Sequence, residues 1–448
     1  MEKQNTISTK YVDVLDGIRA ISVIIVMIFH FWQQTWIFPN IKTPFLAFIG
    51  VRQIDFTPYA KVGYLFVDMM ILISGFLLFL PIARNILHGE PIAKWKEFFK
   101  KRAVRILPSY LFCILAIFIY ELIAGGYGKP VNTALAFKDL LLHLVFMHTW
   151  TTQSYLSTKL NVVLWTLAIE VWFYILFPIF ACFIKRWKDQ KKAAGSIFRA
   201  VILAAVMIGL SFAYIYGYVL NSGSAFSNSI DAAFASVHSN INSSYLAMVI
   251  NQLPAFFGTY AVGMIGALIY VAVASKLKRK FLPGLIFTVL CIGAIWLMTK
   301  MIKQCSVLDA TSAQRWQITH RLPLSLVFML VILTAAFSLG FFRFLFSNKL
   351  MKFLSGISYN LYIWHQWLCV KLKSEWRLPP WEGDTPPNQW NNAVGKAWSR
   401  NYAIVITLFA FGAAILATYL IEKPAAKLLT KDRYISKNAI KKKTVKKK

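Results

Sequence analysis

The chain has 448 residues, 58% of them hydrophobic and only 15% charged. A soluble domain carries about 25% charged residues, so a soluble globular fold is excluded. The net charge of +31 raises nucleic acid as a partner, but the basic residues sit mainly in loops between apolar runs and not on one binding face, and no nucleic acid is expected. Repeated apolar runs of about 20 residues define instead an all-α polytopic membrane protein surrounded by membrane lipids. The five cysteines, Cys113, Cys182, Cys291, Cys305 and Cys369, lie in or beside those runs. They have neither metal-ligand spacing nor a disulfide framework, so no metal is expected.

Ten spans are predicted, at 15–38, 61–83, 107–124, 162–184, 197–220, 248–274, 282–302, 322–342, 354–371 and 402–421. An even number puts both termini on one side. Most Lys and Arg fall in the N-terminus, in 84–105, 185–199, 276–280 and 343–352, and in the tail from 422, which makes that side the cytosol. Residues 1–430 are read as one membrane domain and 431–448 as a basic cytosolic tail that attracts anionic lipid. The first apolar run is too long for a cleavable signal peptide and has no small-residue cleavage site. There is no internal repeat. The segments 39–60, 125–161, 221–247, 303–321 and 372–401 face outward. They shape an entrance for a polar acceptor or are plain surface loops, and none is long enough to be a separate catalytic domain.

The first span holds Asp16-Gly17-Ile18-Arg19 and Phe29-His30. Arg19 and His30 lie 11 residues apart, three helical turns, on one face and about 16 Å from each other. Ionisable groups inside a membrane helix are costly and mark a site or pathway. For Arg19 alone, snorkelling to headgroups is the better reading; for the same-face pair, function is. In the second span Asp68 lies about 10 Å below the outer edge, where a buried carboxylate needs a partner, while Ser74 and Gly75 suit close helix packing. Arg102 and Arg105 stand one turn apart before the third span. They are either positive-inside anchors or a bidentate phosphate site. The fourth span places Glu170 about 12 Å below the outer edge, and the same arithmetic puts His30 at about 8 Å and His365 of the ninth span at about 14 Å. His30, Asp68 and Glu170 therefore reach nearly one depth from three helices, which suggests a common polar cavity. For His365 a structural hydrogen-bond layer competes with that reading.

Ordered motifs run through nearly the whole chain. They are Asp16-Gly17-Ile18-Arg19 with His30, Asp68 with Ile73-Ser74-Gly75-Phe76-Leu77, and Arg102-Ala103-Val104-Arg105-Ile106-Leu107-Pro108. Then come Trp165-Thr166-Leu167-Ala168-Ile169-Glu170 with Phe173-Tyr174, Pro254-Ala255-Phe256-Phe257 with Gly263-Met264, Gly356-Ile357-Ser358-Tyr359-Asn360-Leu361-Tyr362-Ile363-Trp364-His365, and Tyr419-Leu420-Ile421-Glu422-Lys423-Pro424. In this set the chain resembles the acyltransferase 3 family of bacterial integral-membrane O-acyltransferases, which includes glycan O-acetyltransferases. It departs at Val171, where members often carry a second acid, and at Gln366-Trp367, where Trp-Pro often follows the histidine.

The resemblance implies transfer of an acyl group, by default acetyl, from cytosolic acyl-CoA to a hydroxyl of an extracytoplasmic glycan or cell-surface polysaccharide. On that reading Arg19, Arg102 and Arg105 hold the CoA diphosphate, and a pantetheine arm spans the distance from Arg19 to His30. His30 acts as general base or as an acyl-carrying nucleophile, and Glu170 or Asp68 orients it. Trp165, Tyr174 and His365 complete the candidate site as substrate-contacting side chains. Two other classes compete. A lipid-linked glycan transporter or flippase would show inverted repeats or broken helices, and neither is seen. A membrane scaffold or sensor leaves the buried ionisable groups without a use. Within the enzyme class, peptidoglycan and a small secreted metabolite stay open as acceptors.

Overall fold

The computed structural model describes residues 7–37, 39–44, 47, 52–128, 130–185, 193–219, 248–277, 279–387 and 395–430. The expected outward loop 221–247 and basic tail 431–448 lie outside the described residues.

Unbroken apolar runs can satisfy their backbone polar groups in a membrane only as helices, and helices dominate. The first is α1, Val14–Thr35. It is followed by a short antiparallel pair, β1 (Asn40–Lys42) and β2 (Gln53–Asp55), with Ile41 opposite Ile54. After a short α2, Thr57–Lys61, come α3, Phe66–His88, and α4, Trp95–Ala124. Two short helices, α5 (Thr133–Leu144) and α6 (Thr152–Leu156), precede α7, Trp165–Ile184, and α8, Ala194–Phe212. The second half holds α9 (Leu253–Lys276), α10 (Phe281–Ser306), α11 (Ala310–Phe337), a short α12 (Gly340–Ser347) and α13 (Lys349–Ser374). Last is α14, Gly395–Leu416, which runs through a π-helical segment, Ala417–Glu422, into α15, Lys423–Thr430.

Among the described residues nine helices are long and apolar enough to cross a membrane. The span expected at 354–371 exists as α13 but is not one of the nine. Its 26 residues reach about 39 Å at 1.5 Å per residue, so it is long enough; its Ser, Asn, His, Gln and Lys side chains lower its hydropathy. The span expected at 322–342 is divided. α11 stops at Phe337, where the Ser338 hydroxyl bonds back to Ala335 O (2.8 Å) and the Leu339 amide donates to Thr288 Oγ1 of α10 (3.0 Å). α4 starts well before the expected 107, so Arg102 and Arg105 lie on a continuous helix.

Small residues set the closest helix approach. A Cβ on Gly263 of α9 would stand 2.4 Å from Leu72 O of α3, and one on Gly75 of α3 would stand 2.9 Å from Tyr260 O of α9. The two backbones are thus in near contact, as small residues permit in membrane helices. Around this seam pack α1 and α8, while α13 lies between α1 and α14. α1, α3, α7 and α13 consequently surround one interior, and each brings a polar side chain to it.

Candidate active site

His30 sits about one and a half turns before the end of α1, and His365 lies on the adjoining face of α13. The His365 ring is fully buried. Its Nδ1 faces two backbone acceptors, Tyr362 O at 2.7 Å and Leu361 O at 3.1 Å. A carbonyl can only accept, so Nδ1 carries the proton and Nε2 of the neutral ring offers a lone pair. That Nε2 lies 3.0 Å from His30 Nδ1, which also faces Val26 O at 3.0 Å. His30 Nδ1 is therefore the protonated nitrogen of its neutral ring, and His30 Nε2 holds the lone pair. Val26 O on its own helix and the lone pair of His365 Nε2 on another thus hold His30 in one tautomer.

His30 lines a cavity of about 450 Å³, shared with Trp165 of α7, Tyr64, Gln366 of α13 and Gln314 of α11. The other lining residues include Lys61, Val162 and Asn251, which lie at or just before the starts of α3, α7 and α9. The cavity therefore belongs to the end of the bundle at which those helices begin. It is bounded by amide and aromatic side chains, and among the described residues the only formally charged side chain along it is Lys61.

Three turns back along α1, a second polar centre forms. Arg19 interacts electrostatically with Arg105, Glu170, Tyr174 and Asp16. The Arg102 guanidinium stands 5.4 Å from the centre of the Tyr174 ring. The Tyr174 hydroxyl donates to Glu170 Oε1, and so does Ser74 Oγ of α3, at 2.8 Å. Asn360 Nδ2 of α13 donates to Thr418 Oγ1 (2.9 Å) and Glu422 Oε2 (2.7 Å). Both acceptors lie on the π-helical segment, a device frequent at functional sites, and Glu422 in turn interacts with Arg105. None of the three guanidinium groups donates a hydrogen bond or closes an ion pair among the described residues. Three cations converge, and among the described residues no ion pair closes on them.

Asp68 is buried, and its partner is Arg321 of α11, with Nε to Oδ2 at 3.4 Å. The equally buried Arg321 donates from Nη1 to Ile250 O (3.0 Å) and lies 4.0 Å over the Phe256 ring. Phe256 packs against Trp165, with ring centres 5.9 Å apart. Since Val67, Trp165 and Ile250 all line the cavity, the Asp68–Arg321 pair stands directly behind its wall.

The candidate residues thus fall into three groups. His30 and Trp165 line the cavity, and His365 stands behind His30. Arg19, Arg102, Arg105, Tyr174 and Glu170 meet at the other centre. Asp68 pairs with Arg321. Neither carboxylate hydrogen-bonds to His30, contrary to the depth argument; His365 takes that place. The reason is geometric, because equal depth says nothing about which helix faces point at each other, and the hydrogen bonds of Glu170 point to Ser74 and Tyr174. Arg321 is missing from the sequence reading, which leaves it at the end of the loop 303–321. The recurrence of Gln314, Gln317 and Arg321 at spacings of three and four was the signal for one polar helix face. Among the described residues no cluster of His, Cys, Asp or Glu is arranged to hold a metal.

Fold and site together define a multi-pass helical membrane protein with a histidine pair and an arginine cluster inside its bundle. The chain belongs to the acyltransferase family: the family model described as an acyltransferase domain matches residues 12–423. It is similar to the O-acetyltransferase OatA of Staphylococcus aureus (strain NCTC 8325 / PS 47), 26% identical over 216 residues, 46% of this chain and 30% of that protein. A second protein of Staphylococcus aureus (strain COL), provisionally named an O-acetyltransferase, is 22% identical over 367 residues, 80% of this chain and 50% of that protein. The chain spans half or less of the length of these relatives. No solved structure matches it.

Proposed function

We propose that the protein is a membrane O-acyltransferase that takes an acyl group, acetyl by preference, from cytosolic acyl-CoA and passes it to a hydroxyl of an extracytoplasmic glycan. The observation that carries this reading is the placement of His30. It lies against His365 in a cavity at one end of α1, with an arginine cluster about 16 Å away on the same helix. In this reading Arg19, Arg102 and Arg105 hold the CoA diphosphate, whose oxygens accept the charge-assisted bonds that the three guanidinium groups do not make among the described residues. Glu170 and Tyr174 keep the cluster in place. The pantetheine arm runs along α1 and brings the thioester to His30.

The chemistry follows from the tautomers. His30 Nε2 takes the proton of the acceptor hydroxyl as its oxygen attacks the thioester carbon. The C–O bond forms, the C–S bond breaks, and the imidazolium returns the proton to the departing thiolate. His365 Nε2 accepts the hydrogen bond of His30 Nδ1–H and so orients the ring and stabilises its charged form, the part a carboxylate plays in the serine hydrolase triad. Asp68 acts through Arg321 as a support of the cavity wall. A transporter reading has less behind it, since the histidine pair is set up for proton transfer at one fixed point. The test is transfer of label from radioactive acetyl-CoA to glycan, with the purified protein in vesicles and donor and glycan on opposite sides. Label in the glycan supports the reading; wild-type protein that neither binds nor turns over acetyl-CoA overturns it.

A further inference from the structure

The turn between α9 and α10 meets the break between α11 and α12 at a separate cavity of about 230 Å³. Arg279, Lys280 and Arg343 all line it. Arg279 is half-buried and Lys280 exposed, and no ion pair among the described residues engages either of them. Arg343 Nε faces Asp13 Oδ2 at 3.3 Å. Three cations and one carboxylate therefore leave the cavity with an excess of positive charge. Like charges gathered along one concave space repel each other, and an anion held between them relieves that repulsion.

The apolar part of the lining adds a second requirement. Ile7, Leu277, Phe337 and Leu339 line the same cavity, together with Phe281. Phe281 is 72% exposed, and Leu285 and Val289, one and two turns further along α10, are exposed as well. α10 is the least buried of the nine membrane-length helices. A cationic cavity thus runs on into an apolar helix face long enough to lie along one leaflet. A soluble anion would use the cations alone, whereas a charged head carrying acyl chains uses both. The segments 276–280 and 343–352 belong to the side that the Lys and Arg distribution assigns to the cytosol, and basic pockets between helices on that side suit lipid headgroups.

We propose that this cavity is a binding site for the headgroup of an anionic phospholipid. Arg279 and Lys280 hold its phosphate, the Nη groups of Arg343 add to them beyond the Asp13 contact, and the acyl chains lie along α10 from Phe281. Arg19, Arg102 and Arg105 do not line the cavity, so the site is distinct from the proposed acyl-donor site and does not depend on it.

The test is native mass spectrometry of the purified protein in detergent, titrated with phosphatidylglycerol, with zwitterionic phosphatidylcholine and with inorganic phosphate. Phosphatidylglycerol is expected to bind about tenfold tighter than phosphatidylcholine, the size of one hydrogen bond to a charged group. Arg279→Gln with Lys280→Gln should erase that preference. Lys349→Gln with Lys352→Gln removes two charges from the same basic side but outside the cavity, and should leave the preference intact. An unfolding temperature in lipid-free detergent equal to that of the wild type reports that both double variants are folded. Equal binding of the two lipids overturns the site, and so does an equal loss in both double variants, which would mark attraction to basic loops in general. Inorganic phosphate that displaces phosphatidylglycerol at equal concentration overturns the lipid as the ligand. Acetyl-CoA binding weakened by Arg279→Gln with Lys280→Gln would give the cavity to the donor and overturn the proposal too.

Discussion

The His30–His365 contact puts the functional weight on a residue pair that neither helix could supply alone. His365 never reaches the substrate in this account; it acts through His30. If it fixes the tautomer, His365→Ala lowers kcat by roughly 10²-fold or more, the scale of general-base catalysis, while KM for acetyl-CoA stays within about twofold. His365→Asn or His365→Gln, which can still accept from Nδ1–H, should recover part of the loss. A purely structural His365 would lower the thermal unfolding temperature and leave kcat per folded molecule unchanged. The arginines make a separate claim. Arg19→Ala, Arg102→Ala and Arg105→Ala should each raise KM for acetyl-CoA about tenfold or more, since a hydrogen bond to a charged group is worth about 1.5–3 kcal/mol. Wild-type CoA binding in all three variants, read by calorimetry, would remove the diphosphate site. For the buried Asp68–Arg321 pair, breaking one partner leaves an uncompensated charge and costs about 3–5 kcal/mol. Arg321→Met alone should therefore destabilise the protein in denaturant titrations more than Arg321→Met combined with Asp68→Asn. If the double variant is the less stable of the two, the pair is not what makes the single change costly.

At the scale of elements, the site depends on how closely α3 and α9 approach. Ser74, which holds Glu170, neighbours Gly75, and Asp68 lies two turns earlier on the same helix. Gly263 has no room for a side chain: its Cβ would sit 2.4 Å from Leu72 O, a backbone atom that cannot rotate away. Gly263→Val should separate the helices and cost about 1–3 kcal/mol, as overpacking does, and should reduce activity through misplacement of both polar centres. An unchanged unfolding temperature for this variant would show that the seam yields without strain. Gly209, with nothing near its Cβ, is the matched control and tolerates Ala. α13 carries an unusual share of polar side chains for a membrane-length helix. Ser358, Asn360, His365 and Gln366 occupy one membrane-length helix, and their polarity lowers the signal that would identify it by hydropathy alone.

For the whole molecule, the long helices were legible because a bilayer demands apolar runs of set length, a rule each run obeys independently of the others. Arg19, His30, Glu170 and His365 were legible as candidates because an ionisable group inside such a run is costly, Arg102 and Arg105 as a basic pair beside one, and Trp165 and Tyr174 through the family motifs. Their grouping was not. Residue counting gives depth along a helix but not rotation about it, so His30, Asp68 and Glu170 looked like one layer, whereas the helix faces divide them among three centres. Arg321 escaped because the apolar run of α11 begins only after it, and the partner it needed, Asp68, lies 253 residues earlier. α1, α7 and α13 each join the two polar centres, and the proposed function has donor and acceptor approach one histidine from opposite ends.

The most direct test of that arrangement is the rate of thiol release from acetyl-CoA, with glycan present, by His30→Ala protein shown by calorimetry to bind acetyl-CoA as wild type does. The account predicts that release falls by about 10²–10⁴-fold, the contribution of a positioned general base, with acetyl-CoA affinity unchanged. Wild-type release from folded His30→Ala protein would contradict it.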